Sequence, residues 1–282
     1  MKSPFFILVE YWYSERRFYI MKIFIILFVC FFSSVAGSIC GIGGGVIIKP
    51  ALDAANMMDV ASVSFLSGCT VLSMSAVSLY KNLKNEDNND FHKAFASILT
   101  VGSILGGIIG KSAFQLLLDI SEIKSKAGAI QAAVLLLLTA GTMAYELKKE
   151  TITTKNIENK LVVFFIGCLL GILSAFLGIG GGPINLIALF YLFSMRTKEA
   201  ALYSIYIILF SQIASLLYSI CTGNVPPFSV GILALMIGCG ITGGLTGSAI
   251  SRKMNHKMVD QLFTGLMVLM IFINLYNIFR CL

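Results

Sequence analysis

Charge is scarce in this chain: Lys, Arg, Asp and Glu make up 12% of its 282 residues, against roughly 25% in an ordinary soluble domain. Hydrophobic residues make up 57% and mean hydropathy is +0.88, the composition of an integral membrane protein. The carboxylates lie at the ends of apolar runs or in loops, which leaves no obvious intramembrane proton relay of the pump type. The only histidines, His92 and His256, sit in polar connections, so the Ser/His or paired-Asp arrangement of an intramembrane protease is missing too. The seven cysteines show no CxxC and no Cys/His ligand spacing. They read as small apolar packing residues, with no metal, disulfide or other cofactor expected. The net charge of +7 is carried by Lys and Arg in short loops, where it reports topology and gives no reason to expect nucleic acid.

Eight apolar runs, at 23–40, 60–80, 94–110, 127–145, 161–177, 200–221, 228–250 and 259–279, come close to the ~20 residues that cross a ~30 Å hydrocarbon core as a helix. Helix is forced, because continuous runs lack the alternation of a barrel strand and lipid offers open backbone no partner. Two further pieces, 46–55 and 183–193, are too short to span. Each directly follows the same five letters, GIGGG, at 41–45 and again at 178–182.

The two motifs are offset by 137 residues, and the same offset relates other positions. Gly106, Gly107 and Gly110 fall on Gly243, Gly244 and Gly247; Gly128 falls on Gly265, Ser67 on Ser204, Ser78 on Ser215, Phe91 on Phe228 and Ala51-Leu52 on Ala188-Leu189. Several patterns sharing one ungapped offset mark a tandem duplication. The expected organisation is a first repeat at 21–146, a cytoplasmic linker at 147–160 and a second repeat at 161–282. Basic residues place the linker and the segments before 200 and 259 inside, and leave the uncharged 221–228 outside. The second copy then begins inside and the first outside. The predicted fold class is an all-α integral membrane protein of two inverted-topology repeats, with about eight full transmembrane helices plus two short broken or re-entrant helices. Arg16, Arg17 and a mixed connection at 111–126 lie on the predicted outer side and run against the charge rule.

Residues 1–20 have no counterpart in the second copy, whereas Met21 opens the repeat; they are expected to be an extra segment or a start-site artefact, with Met1 and Met21 both open as the start. The stretch from Met21 also resembles a secretory signal, but its internal copy marks it as an uncleaved core helix.

A dinucleotide loop would need glycine at Val46 and Pro183, and a P-loop would need Lys-Ser/Thr after its last glycine, so no nucleotide site follows. The glycines could serve packing or bending alone. Unwound glycines also free backbone N–H groups, and Pro183 is a favoured first helical residue. A helix beginning there offers unpaired donors and a partial positive charge to an anion. Inverted repeats with broken helices near the midplane are the plan of secondary transporters.

A doubled GIGGG with a proline-containing short helix behind it resembles the sulfite exporter TauE/SafE family, over nearly the whole chain from Met21. The resemblance implies transport, usually export, of sulfite, sulfoacetate or related organic anions. Its motif falls on Gly41, Gly43, Gly44, Gly45, Gly178, Gly180, Gly181 and Gly182, with the proline at Pro50. Lys49 departs from the aliphatic residue expected there, and its repeat partner is Leu186. As the only charge well inside an apolar segment, Lys49 is a candidate that either reaches an anion at the glycines or snorkels to the interface. Ser67, Asn185, Ser204 and Gln212 complete the candidate substrate site, with Thr70, Gln131, Tyr206 and Ser211 along the path; Ser67 and Ser204 stand out because both copies keep the hydroxyl. The competing reading of any one hydroxyl is a bond back to its own helix.

The expectation is a non-enzymatic secondary transporter of small anions in the cell (inner or plasma) membrane, working by alternating access. Its expected partners are the anionic substrate and the lipid bilayer, with homo-oligomerisation left open. A monoanion leaving a negative-inside cell gains ~2.3 kcal/mol per 100 mV, so export can run uncoupled. An intramembrane enzyme and a membrane scaffold or assembly factor are the alternatives. Because the argument rests on backbone, Gly43→Val or Gly180→Val is expected to abolish transport in proteoliposomes although no catalytic atom is removed.

Overall fold

The structure, a computed structural model, describes residues 4–56, 58–84, 93–119, 127–149 and 151–281, and leaves the side chains of 4–19, 93 and 281 undescribed. Phe91, His92 and the side chains of Arg16 and Arg17 therefore lie outside the described residues. Among the described residues ten helices follow in order: α1 (Pro4–Cys40), α2 (Gly45–Ala54), α3 (Val60–Leu83), α4 (Lys93–Asp119), α5 (Ala127–Lys148), α6 (Lys160–Leu177), α7 (Gly182–Phe193), α8 (Thr197–Cys221), α9 (Val230–Lys253) and α10 (His256–Cys281). All but α2 and α7 contain a stretch long and apolar enough to cross a membrane, that of α1 being Ile20–Cys40. The chain is an all-helical, multi-pass membrane protein, with no strand among the described residues.

Side-chain caps start at least three of the spans, with Asn255 accepting from the Met258 amide at α10. Asp59 accepts from the Ala61 amide at α3 and Asn159 from the Leu161 amide at α6, each satisfying a donor that helix geometry leaves free. One expectation fails at α4. Residues 111–119, read as the start of a mixed outer connection, continue the helix to Asp119. The reason is packing. Gly102, Gly106 and Gly110, one turn apart, lie against the carbonyls of Phe164, Cys168 and Ile172 on α6, and Gly167 and Gly171 answer against Leu99 and Ser103. Backbones this close favour small residues, since dispersion and not the hydrophobic effect drives helix association in lipid. Lys111, sitting on this clamped helix, is carried inward and is only 7% exposed.

The helix contacts obey the sequence offset. Under exchange of the copies, α4 on α6 becomes α9 on α1, and α3 on α9 becomes α8 on α4; all four pairings are extensive, and α3–α8 and α5–α10 map onto themselves. Single residues follow suit. Gly106 meets Cys168 and Ile172, while Gly243 meets Phe31 and Val35, each shifted by 137. Gly107 faces Ser211 and Gly244 faces Met74, again by the same shift.

The linker does more than connect. The amides of Lys155 and Ile157 donate to the carbonyls of Tyr191 and Leu192 at 2.8 and 3.0 Å, and Ser194 Oγ reaches Thr154 Oγ1 at 2.7 Å. These bonds fasten the linker to the last turn of α7 and satisfy carbonyls that the helix end leaves open.

Gly106→Ala places a methyl group into the Cys168 carbonyl and is expected to lower stability by about 1–3 kcal/mol. Gly141→Ala, on an open face of α5, is expected to leave the thermal midpoint of the detergent-solubilised protein unchanged or slightly raised.

Candidate functional site

Between α1 and α2, Gly41 and Gly43 both have φ of +76°. Between α6 and α7, Gly178, Gly180, Gly181 and Gly182 have φ of +66°, +83°, +99° and +55°. L side chains rarely adopt these values, which is why the breaks are written in glycine. The first break ends sooner, with Gly44 already helical at φ −61°. The two breaks meet. A side chain on Gly43 would lie 3.6 and 3.7 Å from the carbonyl oxygens of Ile179 and Gly180, and one on Gly45 only 2.7 Å from that of Ile179.

Two helices enclose the junction by matching faces. Gly41 lies against Ala201 on α8 and Gly178 against Ser64 on α3, while Gly43 packs on Ile208 and Gly180 on Val71; each pair maps onto the other by 137. Ala201, Ser204, Ile208 and Gln212 follow helical spacing, so one face of α8 looks onto the breaks. Neither α2 nor α7 has a side-chain cap at its N-terminus. Both therefore direct first-turn amides and the positive end of the helix dipole at the junction.

Several polar groups here lack partners. Asn185 and Ser204 are wholly buried and Gln212 is 2% exposed; both amide atoms of Asn185, the Ser204 hydroxyl, the Ser64 hydroxyl and Gln212 Nε2 make no hydrogen bond. An unsatisfied buried group costs about 1–3 kcal/mol, so a cluster of them is unusual in a region that serves only packing. Ser67 differs from its repeat partner, donating at 3.2 Å to the carbonyls of Gly178 and Ser64. Thr70 and Ser211 bond back to Leu66 and Ile208 at 2.9 and 3.2 Å, as the competing reading of span hydroxyls expects. Tyr206 packs on Phe210.

Lys49 does not snorkel. It is 3% exposed, and its Nζ donates to Asp53 Oδ2 at 3.0 Å and to Gln131 Oε1 at 2.7 Å. Its Cε lies 3.6 Å from where a side chain on Gly178 would begin. Gln131 in turn donates to the Phe176 carbonyl at 2.7 Å. Asp53 belongs to the last turn of α2; its i,i+4 spacing from Lys49 is the signal that could have marked it as a partner. A cavity of about 10 Å³ adjoins this pair, lined also by Asn274 and Asn277. Asn277 donates to the Pro50 carbonyl at 2.9 Å and Arg280 to those of Asp53 and Ala54 at 3.0 and 2.7 Å, so α10 caps the C-terminal end of α2. Lys111 overturns the expectation that Lys49 is the only charge well inside an apolar segment.

A larger cavity of about 270 Å³ lies at the other end of α7, lined by Lys149, Arg196, His256 and Asp260 among others. Lys149 bridges Glu146 at 2.6 Å and Asp260 at 2.8 Å. Burial disfavours its ammonium, but these hydrogen bonds outweigh that and raise its pKa above the usual lysine range.

Paired helix breaks inside a bundle of membrane-length helices define a multi-pass membrane protein of the transporter class. The chain belongs to the sulfite exporter TauE/SafE family, whose family model matches residues 26–273. Searches of curated proteins and of solved structures gave no match.

Removing one partner of the Lys49–Asp53 pair strands a buried charge. Asp53→Ala is expected to destabilise the protein by about 3–5 kcal/mol, and adding Lys49→Met is expected to recover most of that loss in a thermal melt.

Proposed function

We infer that this member of the family exports small sulfur-containing or organic anions across the cell membrane by alternating access, holding the anion where the two helix breaks meet. The observation that carries the reading is the set of unpartnered buried groups at that junction: Asn185, Ser204, Ser64 and Gln212. Amide and hydroxyl donors beside two uncapped helix N-termini supply what an oxyanion needs, and no full charge there would hold it too tightly to release. Gly41, Gly43, Gly44, Gly45, Gly178, Gly180, Gly181 and Gly182 shape the cradle, and Ser67 and Lys49 both lie against the second break at Gly178. The exchange-related contacts support a pseudo-twofold between 21–146 and 161–282, and the loop charges favour an inverted pair, the arrangement in which rocking one copy against the other exposes a central site to each side in turn.

Asn185→Leu tests this reading because it removes two unsatisfied groups that a packing role would not miss. The variant is expected to melt no lower than the native protein and to lose at least about tenfold in sulfite or sulfoacetate flux in proteoliposomes. Unchanged flux would sink the placement of the site, and absence of flux of any small anion in the native protein would sink the transporter reading for this chain.

A further inference from the structure

Five polar side chains gather around the C-terminal half of α2. Lys49 and Asp53 of α2, Gln131 of α5, and Asn274 and Asn277 of α10 line one small cavity. Leu177 and Ile179, on either side of Gly178, belong to the same lining. The cavity thus reaches from an ion pair to the second helix break. Its volume of about 10 Å³ is room for a single water. Asp53 Oδ1 and Asn274 Oδ1 are buried and make no hydrogen bond. Asn274 is 1% exposed, and its Nδ2 is already given to the Met270 carbonyl at 2.8 Å. Two orphaned acceptors call for a guest that brings hydrogens, and the Lys49 ammonium in the same lining repels a metal cation.

The second copy serves as a control on packing. Under the offset of 137, Lys49, Asp53, Gln131, Asn274 and Asn277 fall on Leu186, Phe190, Val268, Leu137 and Ala140. The counterpart of α10 on α2 is α5 on α7, and it forms with none of these polar groups. Packing therefore does not require them, and a buried ion pair is often no more stabilising than apolar residues of similar volume.

Lys49 connects the cluster to the junction. Its Nζ is held by Asp53 Oδ2 at 3.0 Å and Gln131 Oε1 at 2.7 Å. Its Cε lies 3.6 Å from where a side chain on Gly178 would begin, and the unpartnered Ser64 hydroxyl abuts the same point. Rotation about the Cδ–Cε bond swings Nζ from the carboxylate toward the break while Cε stays in place. An anion at the junction therefore competes with Asp53 for one cation. The other groups around Asp53 do not replace it. Gln131 from α5 and Asn274 and Asn277 from α10 are neutral, Arg280 of α10 donates to the backbone carbonyls of Asp53 and Ala54, and α1 and α3 add no charged side chain to the cavity lining. With Lys49 drawn away, the largely buried carboxylate has no counter-ion, and a proton neutralises it.

We propose that Asp53 is a proton-binding site linked to the anion site: Lys49 passes from Asp53 to an anion held at the second break, Asp53 takes a proton from water in the cavity, and anion and proton are carried together. The proposal rests on the transporter reading and deepens it by naming the coupling ion. Charge balances in both states. Without substrate the ammonium faces the carboxylate; with a monoanion bound it faces the anion, and Asp53 is neutral.

The test uses the purified full-length protein and sodium methanesulfonate, a monoanion whose own charge does not change near neutral pH. Proton uptake is read from the pH of a weakly buffered solution, and affinity from the thermal midpoint. The native protein is expected to take up about one proton per methanesulfonate bound, with affinity falling as pH rises by at most about tenfold per unit. Asp53→Asn leaves Lys49 without a competitor and is expected to bind methanesulfonate at least as tightly, with no proton uptake and no pH dependence. Lys49→Met is expected to lose about tenfold or more in affinity together with the proton uptake. Uptake that persists in Asp53→Asn overturns the assignment. Should that variant fail to fold, the native proton count decides alone: methanesulfonate binding without proton uptake overturns the proton site and leaves the junction and its Asn185 test standing. If methanesulfonate does not bind the native protein, the proposal is overturned as well, and the Asn185→Leu flux measurement decides separately whether the transporter reading survives.

Discussion

Lipid gives a peptide group nothing to hydrogen-bond with, and the departures from helix in this chain are arranged around that fact. The two places where a helix is interrupted by glycines with positive φ are pressed against each other, and α3 and α8 close over them. Irregular backbone is thus kept away from the hydrocarbon. The close glycine packing of α4 on α6 and of α9 on α1 follows from the same need, since only tightly apposed helices seal such a junction. A cradle of backbone donors and orphaned amides is stable because the helices around it leave it no alternative partner.

Much of this was legible in the sequence because membrane physics makes hydropathy a direct readout of burial. The short helices at 46–55 and 183–193 were found within one residue of their observed starts, since the glycines preceding them mark where each helix is interrupted. The offset of 137 proved informative at the level of contacts: residues it relates, such as Val71 and Ile208, sit in equivalent places against Gly180 and Gly43. Asn185 was accessible as the first amide behind Pro183. What escaped depended on three-dimensional proximity. Ser64 has no hydroxyl counterpart at Ala201, so a repeat-based search passes over it, and its place beside Gly178 exists only once α3 has packed on the break. Lys111 read as the start of a mixed outer connection at 111–126; the i,i+4 glycine stripe that packs α4 on α6 carries it inward instead.

The three lysines discussed show how strongly surroundings decide the role of one side chain. Lys49 is consumed by an internal pair, and Lys149 is held by two carboxylates at the end of α5. Lys111 stands over the Phe114 ring, with no hydrogen bond or ion pair among the described residues. Hydropathy placed both Lys111 and Lys149 outside the apolar runs, yet α4 carries Lys111 inward, where it is 7% exposed.

The helix contacts that follow the offset carry a historical consequence. Each copy finds its main partners in the other: α1 lies on α9, and α4 on α6. A single copy presents those surfaces bare, and two identical copies could cover them only by pairing. In such a homodimer every substitution occurs twice, and a lysine favourable at one mouth of the pathway would be imposed on the other as well. Joining the copies by the linker removed that constraint. The one-sided lysines at 49 and 111, which fall on Leu186 and Ser248 in the second copy, are a difference that two identical subunits could not carry.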